Sequence, residues 1–138
     1  MNLKLVSAAT VFLLSSVTFA GPLKDGVFKG QGLDVHEADG SRGHYEATTT
    51  IKGSSISNTY LLSDGTTKKW DFEMSNENGH FFNVVNDGRI IGKGYCLEHS
   101  SVCHYEIEVG SFRLEETLAQ IDGKLYRYGS KVAAGTFT

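Results

Sequence analysis

Two short segments, IIGKGYC at residues 90–96 and CHYEIEV at residues 103–109, contain both cysteines of the chain. Apolar and polar residues alternate along the second segment, which is typical of a β-strand with one buried face. A pairing of Cys96 with Cys103 across two antiparallel strands joins the segments into a hairpin. We therefore predict a disulfide that fixes the register of the two strands.

This register also predicts which face of the hairpin lies inside. The facing pairs are Gly94 with Tyr105, Gly92 with Ile107, and Ile90 with Val109. The face of Tyr105 is apolar, whereas the opposite face carries His104 and two glutamates. We therefore expect the disulfide to face the interior, with the Tyr105 ring covering Gly94.

Two further turns extend the register toward the C-terminus. A two-residue turn at Gly110-Ser111 places Glu116 beside Tyr105, and a second turn at Asp122-Gly123 brings Arg127 to the same interior face. Buried charges are costly unless they are paired. Glu116 and Arg127 are therefore predicted to be either a structural ion pair or a site that binds a polar ligand group.

Glycine-containing turn pairs recur throughout the chain, which has 16 Gly and a single Pro. Between them lie segments rich in Thr, Tyr, Ile, Val and Phe, at about twelve residues per strand and turn. The turn pairs are Asp39-Gly40, Lys52-Gly53, Asp64-Gly65, Asn78-Gly79, Asp87-Gly88, Val109-Gly110 and Asp122-Gly123. This pattern predicts an all-β fold, an antiparallel up-and-down meander of 8–9 strands that closes into a small β-barrel. Residues 112–121 also fit helical spacing, but the flanking turns favour a strand.

The inward positions are rich in aromatic residues. Trp70 and Tyr60 share a face only if the loop at Asp64-Gly65 has an odd number of residues, so we expect a third loop residue or a bulge there. The inward side chains either line a ligand pocket or form a packed core. The candidate ligand-binding residues are Tyr60, Trp70, Phe72, Met74, Phe82, Tyr105, Glu116 and Arg127.

Two glycine pairs, Gly30 with Gly32 and Gly92 with Gly94, lie at alternate positions of apolar strands. Such glycines either let the backbone approach a ligand closely or allow the sheet to coil into a barrel. We favour the second interpretation.

The N-terminus has the layout of a secretory signal peptide. A basic start at Lys4 precedes an apolar stretch that ends in small residues before Gly21. We expect cleavage after Ala20, with residues 1–20 as signal peptide, residues 21–138 as one β-barrel domain, and no membrane span in the mature chain. The compartment is then periplasmic or extracellular and oxidising, which favours a disulfide over a zinc site that would use His99 and His104.

Several function classes are disfavoured by composition and motifs. A net charge of −3 gives no basic footprint for nucleic acid. The five histidines have no HExxH spacing, and no nucleophile elbow or phosphate-binding loop is present. We expect no enzymatic activity, no metal site and no cofactor.

The signal peptide, the regular strand-and-turn spacing and the aromatic inner face resemble the calycin class of small barrels, which includes lipocalins, fatty-acid-binding proteins and avidin-like proteins. The resemblance covers Gly26 to about Lys131. Phe28 stands where lipocalins carry the Trp of a Gly-x-Trp motif. Tyr126-Arg127-Tyr128 differs in spacing from the Arg-x-Tyr of fatty-acid-binding proteins.

Two functions follow as hypotheses. The first is binding of a small apolar or amphipathic ligand inside the barrel, with Trp70 among the lining residues and Arg127 fixing a polar group. The second is an envelope or periplasmic interaction or inhibitor protein with a filled core, which acts through its loops and outer surface. Tyr126 and Tyr128, near Lys124, are a candidate contact patch for such a partner protein.

Overall fold

The computed structural model describes residues 23–78 and 80–132, which form a single nine-stranded sheet. Each strand pairs antiparallel with the next, and the sheet curls into a nearly closed barrel. The strands are β1 (Gly26–Val35), β2 (Arg42–Lys52), β3 (Ser55–Leu62), β4 (Thr67–Asn78), β5 (Phe81–Asn86), β6 (Arg89–Cys96), β7 (Val102–Val109), β8 (Phe112–Ile121) and β9 (Lys124–Val132). The predicted all-β meander is confirmed, and residues 112–121 are a strand. The expected signal peptide at residues 1–20 lies outside the described residues.

Turn residues with a positive φ connect the strands, as the glycine pattern predicts. Asp122 and Gly123 have φ of 53° and 78°, the geometry of a tight hairpin turn that matches the twist of its strands. In the loop between β6 and β7, which has no glycine, His99 adopts a φ of 60°. The expected turn at Asn78-Gly79 lies partly outside the described residues, because Gly79 is not among them.

The predicted register of β6 and β7 is confirmed from Gly92 to Cys96. Cys96 faces Cys103, and the two are joined in a disulfide. Gly94 pairs with Tyr105, but the expectation that the Tyr105 ring covers this glycine is wrong. The ring nearest to Gly94 belongs to Phe82, from the other neighbouring strand.

A bulge corrects the expected register beyond Gly92. The pairing of β5 with β6 shifts by one residue between Val84 and Val85, so that Ile91 packs against the core and Ile90 is 65% exposed. Ile90 therefore does not share an inner face with Val109, as the uninterrupted register predicted. A bulge places two residues of one strand opposite one of its partner and thereby exchanges the faces.

The loop between β3 and β4 has the odd length that we expected. Leu62 N–H donates to the Thr66 carbonyl at 2.8 Å, which leaves three residues, 63–65, between them. Trp70 and Tyr60 consequently face the interior together. This loop and the turns at Asp87-Gly88 and Gly110-Ser111 form what we call the upper end of the barrel.

The opposite, lower end is closed by the chain that precedes β1. Leu23 is buried in the core. The backbone of Lys24 exchanges two hydrogen bonds with the Gln120 side chain, at 2.7 and 2.8 Å. Apolar side chains and the disulfide fill this end. Within residues 23–78 and 80–132 there is no helix with the length and apolar character needed to cross a membrane.

Reduction of the Cys96–Cys103 disulfide is expected to lower the free energy of unfolding by about 2 kcal/mol, a modest value because the bond closes a short loop. The measurement is urea denaturation with and without reductant. A Cys96→Ala/Cys103→Ala variant serves as control and should not respond to the reductant. Equal stability of the oxidised and reduced protein would contradict this prediction. The disulfide is compatible with an oxidising compartment.

Candidate functional site

The centre of the barrel contains an ion pair, at the position where the two C-terminal hairpins predict one. Glu116 pairs with Gly129 across β8 and β9, and Arg127 lies one inward position further along β9. Arg127 Nη2 is 2.8 Å from Glu116 Oε1, and Arg127 Nε donates to Glu116 Oε2 at 3.2 Å. The side chains are 16% and 13% exposed. The predicted contact between the two charges is confirmed.

The remaining guanidinium donors of Arg127 bind acceptors from β2 and β3. Nη1 donates to Thr49 Oγ1 at 2.6 Å and to Asn58 Oδ1. Nη2 also donates to the Tyr60 hydroxyl at 2.8 Å. A guanidinium has five N–H groups, and the protein itself supplies an acceptor for each of them. Arg127 therefore bridges the lumen from β9 to β3.

Sequence reasoning did not identify two members of this network, Thr49 and Asn58. Both are almost completely buried. Thr49 Oγ1 donates to Asn58 Oδ1 at 2.9 Å, and Asn58 Nδ2 donates to the Trp70 carbonyl at 3.3 Å. Strict alternation from Ala47 on β2 and Ile56 on β3 places both inside, but the search for inward residues selected apolar and aromatic side chains and did not include them. We call the complete group the polar centre: Thr49, Asn58, Tyr60, Tyr105, Glu116 and Arg127.

Tyr105 connects the polar centre to an aromatic stack. Its hydroxyl donates to Glu116 Oε1. Burial, together with the negative charge of Glu116, raises the pKa of Tyr105 well above its usual value. The Tyr105 ring is 5.0 Å from that of Phe72, which stacks on Trp70 at 4.9 Å. The stack leads from the polar centre to the upper end of the barrel.

Stability is expected to decrease above about pH 10, the ordinary pKa of tyrosine in the unfolded chain. Burial raises the pKa of Tyr60 and Tyr105 in the folded state. Above pH 10 the unfolded chain therefore binds fewer protons than the folded protein. Each of these tyrosines then lowers the free energy of unfolding by about 1.4 kcal/mol per pH unit, up to its folded pKa. Below pH 10 this effect is absent.

Urea midpoints measured between about pH 8 and about pH 11 test this dependence. A Tyr105→Phe variant should show a shallower decrease than the wild type, because it lacks one of the hydroxyls whose pKa is raised by burial. Tyr128→Phe removes a hydroxyl from a side chain that is 68% exposed. The urea midpoint of this variant should decrease with pH as that of the wild type does. Identical pH profiles for the Tyr105→Phe variant and the wild type would refute the assignment.

The structure does not bring all eight candidate ligand-binding residues to one cavity. Met74 and Phe82 are buried in the lower core together with the disulfide. Tyr60, Tyr105, Glu116 and Arg127 bind one another in the polar centre. Phe72 lies between this centre and Trp70. Among the eight, Trp70 lines an open cleft.

The cleft arises from a gap in the barrel wall at the upper end. The pairing of β4 with β5 begins at Glu73, although β4 itself begins at Thr67. On the far side, the pairing of β6 with β7 runs from Cys96 to Gly92 and leaves Glu108–Val109 of β7 beyond it. We call this gap the notch: it lies between Thr67–Asp71 of β4 and Glu108–Val109 of β7, beyond the tip of the β5–β6 hairpin.

Apolar side chains line the cleft inside the notch, which has a volume of about 460 Å³. Val109 is 44% exposed and Phe112 is 36% exposed. The complete lining is Lys69, Trp70, Asp71, Asn86, Ile91, Ile107, Val109 and Phe112. The cleft is open to solvent and has an apolar floor with polar groups at its rim. The sequence predicted Trp70 as a lining residue. The notch opens because β5 and β6 are short, and the turn pattern does not indicate how far neighbouring strands extend.

The candidate contact patch on the outer surface is exposed. Tyr126 and Tyr128 lie on the outer face of β9.

The arrangement of possible metal ligands is a separate question. Across residues 23–78 and 80–132, no group of three or more His, Cys, Asp or Glu side chains is arranged to hold a metal ion. The cysteines are bonded to each other, so the alternative zinc site lacks its thiolates.

The nine-stranded, nearly closed barrel is consistent with a calycin-like architecture. Comparisons with protein-family models, curated proteins and solved structures found no match to this chain.

Proposed function

We propose that this chain is a secreted, non-enzymatic interaction protein with a filled core, which binds a partner protein through its surface. The observation that carries the proposal is the saturation of Arg127. Its five N–H groups are bound by Thr49, Asn58, Tyr60 and Glu116, so none is left to fix a polar ligand group. A ligand that reached Arg127 would have to displace one of these buried partners, which costs free energy.

The notch is the surface that best fits such a partner. It combines half-exposed apolar side chains with polar groups at the rim, as the contact regions of protein interfaces do. A partly exposed tryptophan is the residue type in which binding energy concentrates. The outer tyrosines, Tyr126 and Tyr128, are the alternative contact surface.

Affinity purification from the secretory compartment of the source cells tests the proposal. Tagged wild type is compared with Val109→Lys, which places a charge in the cleft, and with Tyr126→Ser/Tyr128→Ser. We expect one partner protein to copurify with the wild type and to be lost with Val109→Lys. Loss of the partner with Tyr126→Ser/Tyr128→Ser instead would show that the contact lies on the outer face of β9. Absence of a protein partner from the wild-type sample would overturn the proposal.

A second function is supported by the cleft itself, since its volume also suits a small apolar or amphipathic molecule. Native mass spectrometry of the protein from the same compartment separates the two functions. A mass equal to the sequence mass less two hydrogens for the disulfide supports the interaction protein. An additional mass that leaves on denaturation supports a bound small molecule. Trp70, the single tryptophan of the chain, should then change its fluorescence when that molecule is added back.

A further inference from the structure

Within residues 23–78 and 80–132, no strand pairs with one edge of β4 along the notch. The other edge of β4 pairs with β3 from Thr67 to Glu73, whereas the pairing with β5 reaches no further than Glu73. The tip of the β5–β6 hairpin ends close to Asp71, because Asn86 Nδ2 donates to the Asp71 carbonyl at 2.6 Å. A strand edge of five residues, Thr67–Asp71, therefore faces the notch.

The direction of the backbone groups along this edge follows from two hydrogen bonds. Met74 N–H donates to the Ser54 carbonyl at 2.8 Å, toward the β3 side. The Asp71 carbonyl accepts from Asn86, toward the β5 side. Both backbone groups of a residue in an antiparallel strand point to the same side, and successive residues alternate. Thr67 and Lys69 therefore present their N–H and carbonyl groups to the notch, and Asp71 presents its N–H there, since its carbonyl is bound by Asn86.

We infer that the notch is a strand-addition site, at which an extended segment of the partner polypeptide pairs with Thr67–Asp71 and inserts an apolar side chain into the cleft. This inference rests on the proposed function and names the chemistry of the partner. Exposed N–H and carbonyl groups on a strand edge are complementary to another extended backbone. Every second side chain of an added strand points to the inner face, where Trp70, Ile91 and Phe112 line the cleft.

Charge at the edge defines the partner further. Lys68 and Lys69 are both exposed, and neither has a carboxylate within ion-pair distance among the pairs that the described residues form. Acidic residues of a partner segment are favoured beside the two lysines and disfavoured beside Asp71 at the other end of the edge. A second copy of this chain is disfavoured as the occupant in the register centred on Lys69, because antiparallel pairing then places the Lys69 side chains of the two copies opposite each other. Lysines on edge strands protect against self-association in this way.

The test uses the full chain with its disulfide intact and a phage-displayed library of random seven-residue peptides. We expect selected peptides to alternate apolar and polar residues and to be enriched in Asp and Glu. The best of them is then resynthesised with single N-methyl groups at successive positions. Methylation should weaken binding at least tenfold at every second position and have little effect between them, because alternate N–H groups face β4. A tolerance to methylation at all positions would overturn the inference.

Two substitutions at one residue provide the matched controls. Lys69→Pro removes an N–H that faces the notch and leaves the pairs with β3 intact, since proline is tolerated on an open strand edge. It should weaken peptide binding at least tenfold. Lys69→Gln keeps the N–H and removes the charge, so it should weaken binding only a few-fold and reduce its dependence on salt. Equal binding by wild type and a folded Lys69→Pro, or selection of no peptide, would contradict strand addition.

The copurification experiment distinguishes failure of this inference from failure of the proposed function. A partner that is lost with Lys69→Pro and retained with Tyr126→Ser/Tyr128→Ser supports strand addition. A partner that Lys69→Pro retains and the tyrosine variant loses leaves the proposed function standing and overturns strand addition. A wild-type sample that carries a small molecule and no partner protein overturns both.

Discussion

Replacement of Arg127 by Met is expected to lower the free energy of unfolding by about 3–5 kcal/mol, the cost of removing one partner from a buried ion pair. The substitution leaves the Glu116 carboxylate in the barrel with the Tyr105 hydroxyl as its remaining donor in the polar centre. It also removes a donor from the Tyr60 hydroxyl and from the two buried acceptors of β2 and β3. Urea denaturation followed through Trp70 fluorescence measures the loss.

Two further variants identify the origin of this loss. Glu116→Leu/Arg127→Met removes both charges and should recover more than half of the stability, because an unpaired buried charge costs more than an apolar replacement of the pair. Arg113→Met breaks the exposed ion pair with Glu108 and should cost less than about 1 kcal/mol. The interpretation fails if Arg127→Met costs no more than Arg113→Met.

Substitution of Arg127 also separates its two interpretations, a structural residue and a residue that binds a polar ligand group. A structural residue affects stability and leaves binding at the notch unchanged in the fraction of protein that remains folded. A residue that reads a ligand reduces binding even in a folded variant such as Glu116→Leu/Arg127→Met. Since the five N–H groups of Arg127 are bound inside the barrel, we expect the first result.

Local rules were sufficient to predict the strands and four of the six members of the polar centre. The two cysteines on one face fix a register, and two-residue turns extend this register to β8 and β9 without a change of face. The contact between Glu116 and Arg127 could therefore be derived from spacing alone. The other two members, Thr49 and Asn58, required treating polar residues as inward. Burial of a polar side chain is favourable only when a partner satisfies it, and that partner lies on β9, far along the chain.

The alternation of residues and the turn pairs could not predict the irregularities of the sheet. The bulge beside Ile91 depends on how β5 packs against β6, and Ile90-Ile91 offers two equivalent apolar residues from which periodicity cannot choose. The notch results from the premature end of a hairpin at Asp87-Gly88. Turn pairs mark where a hairpin ends, but not whether neighbouring strands extend beyond it. The part of the candidate site that sequence reasoning missed is thus the part created by unequal strand lengths.

Gly94→Ala is expected to lower the free energy of unfolding by about 3 kcal/mol, the upper range for overpacking in a core. A Cβ at Gly94 would overlap the His104 carbonyl on β7 and the Phe82 ring on β5. Neither can move easily, because the carbonyl belongs to the residue next to the disulfide-bonded Cys103 and the ring is buried in the core. The measurement is urea denaturation of the variant beside the wild type.

Gly30→Ala is the matched control, since Gly30 also lies on the inner face of its strand, and a Cβ there would have no atom of the described residues within 4 Å. It should be neutral or should stabilise the protein by up to about 1 kcal/mol, because alanine loses less backbone entropy on folding. Opposite signs for the two substitutions would show that close packing around Gly94, rather than a general need for glycine in these strands, selects the residue. Equal effects would refute this and would restore close approach of a ligand as the alternative reason for the glycine pairs. The same comparison tests how closely β6 approaches β7, because at Gly94 the His104 carbonyl lies within 2.5 Å of the position that a Cβ would take.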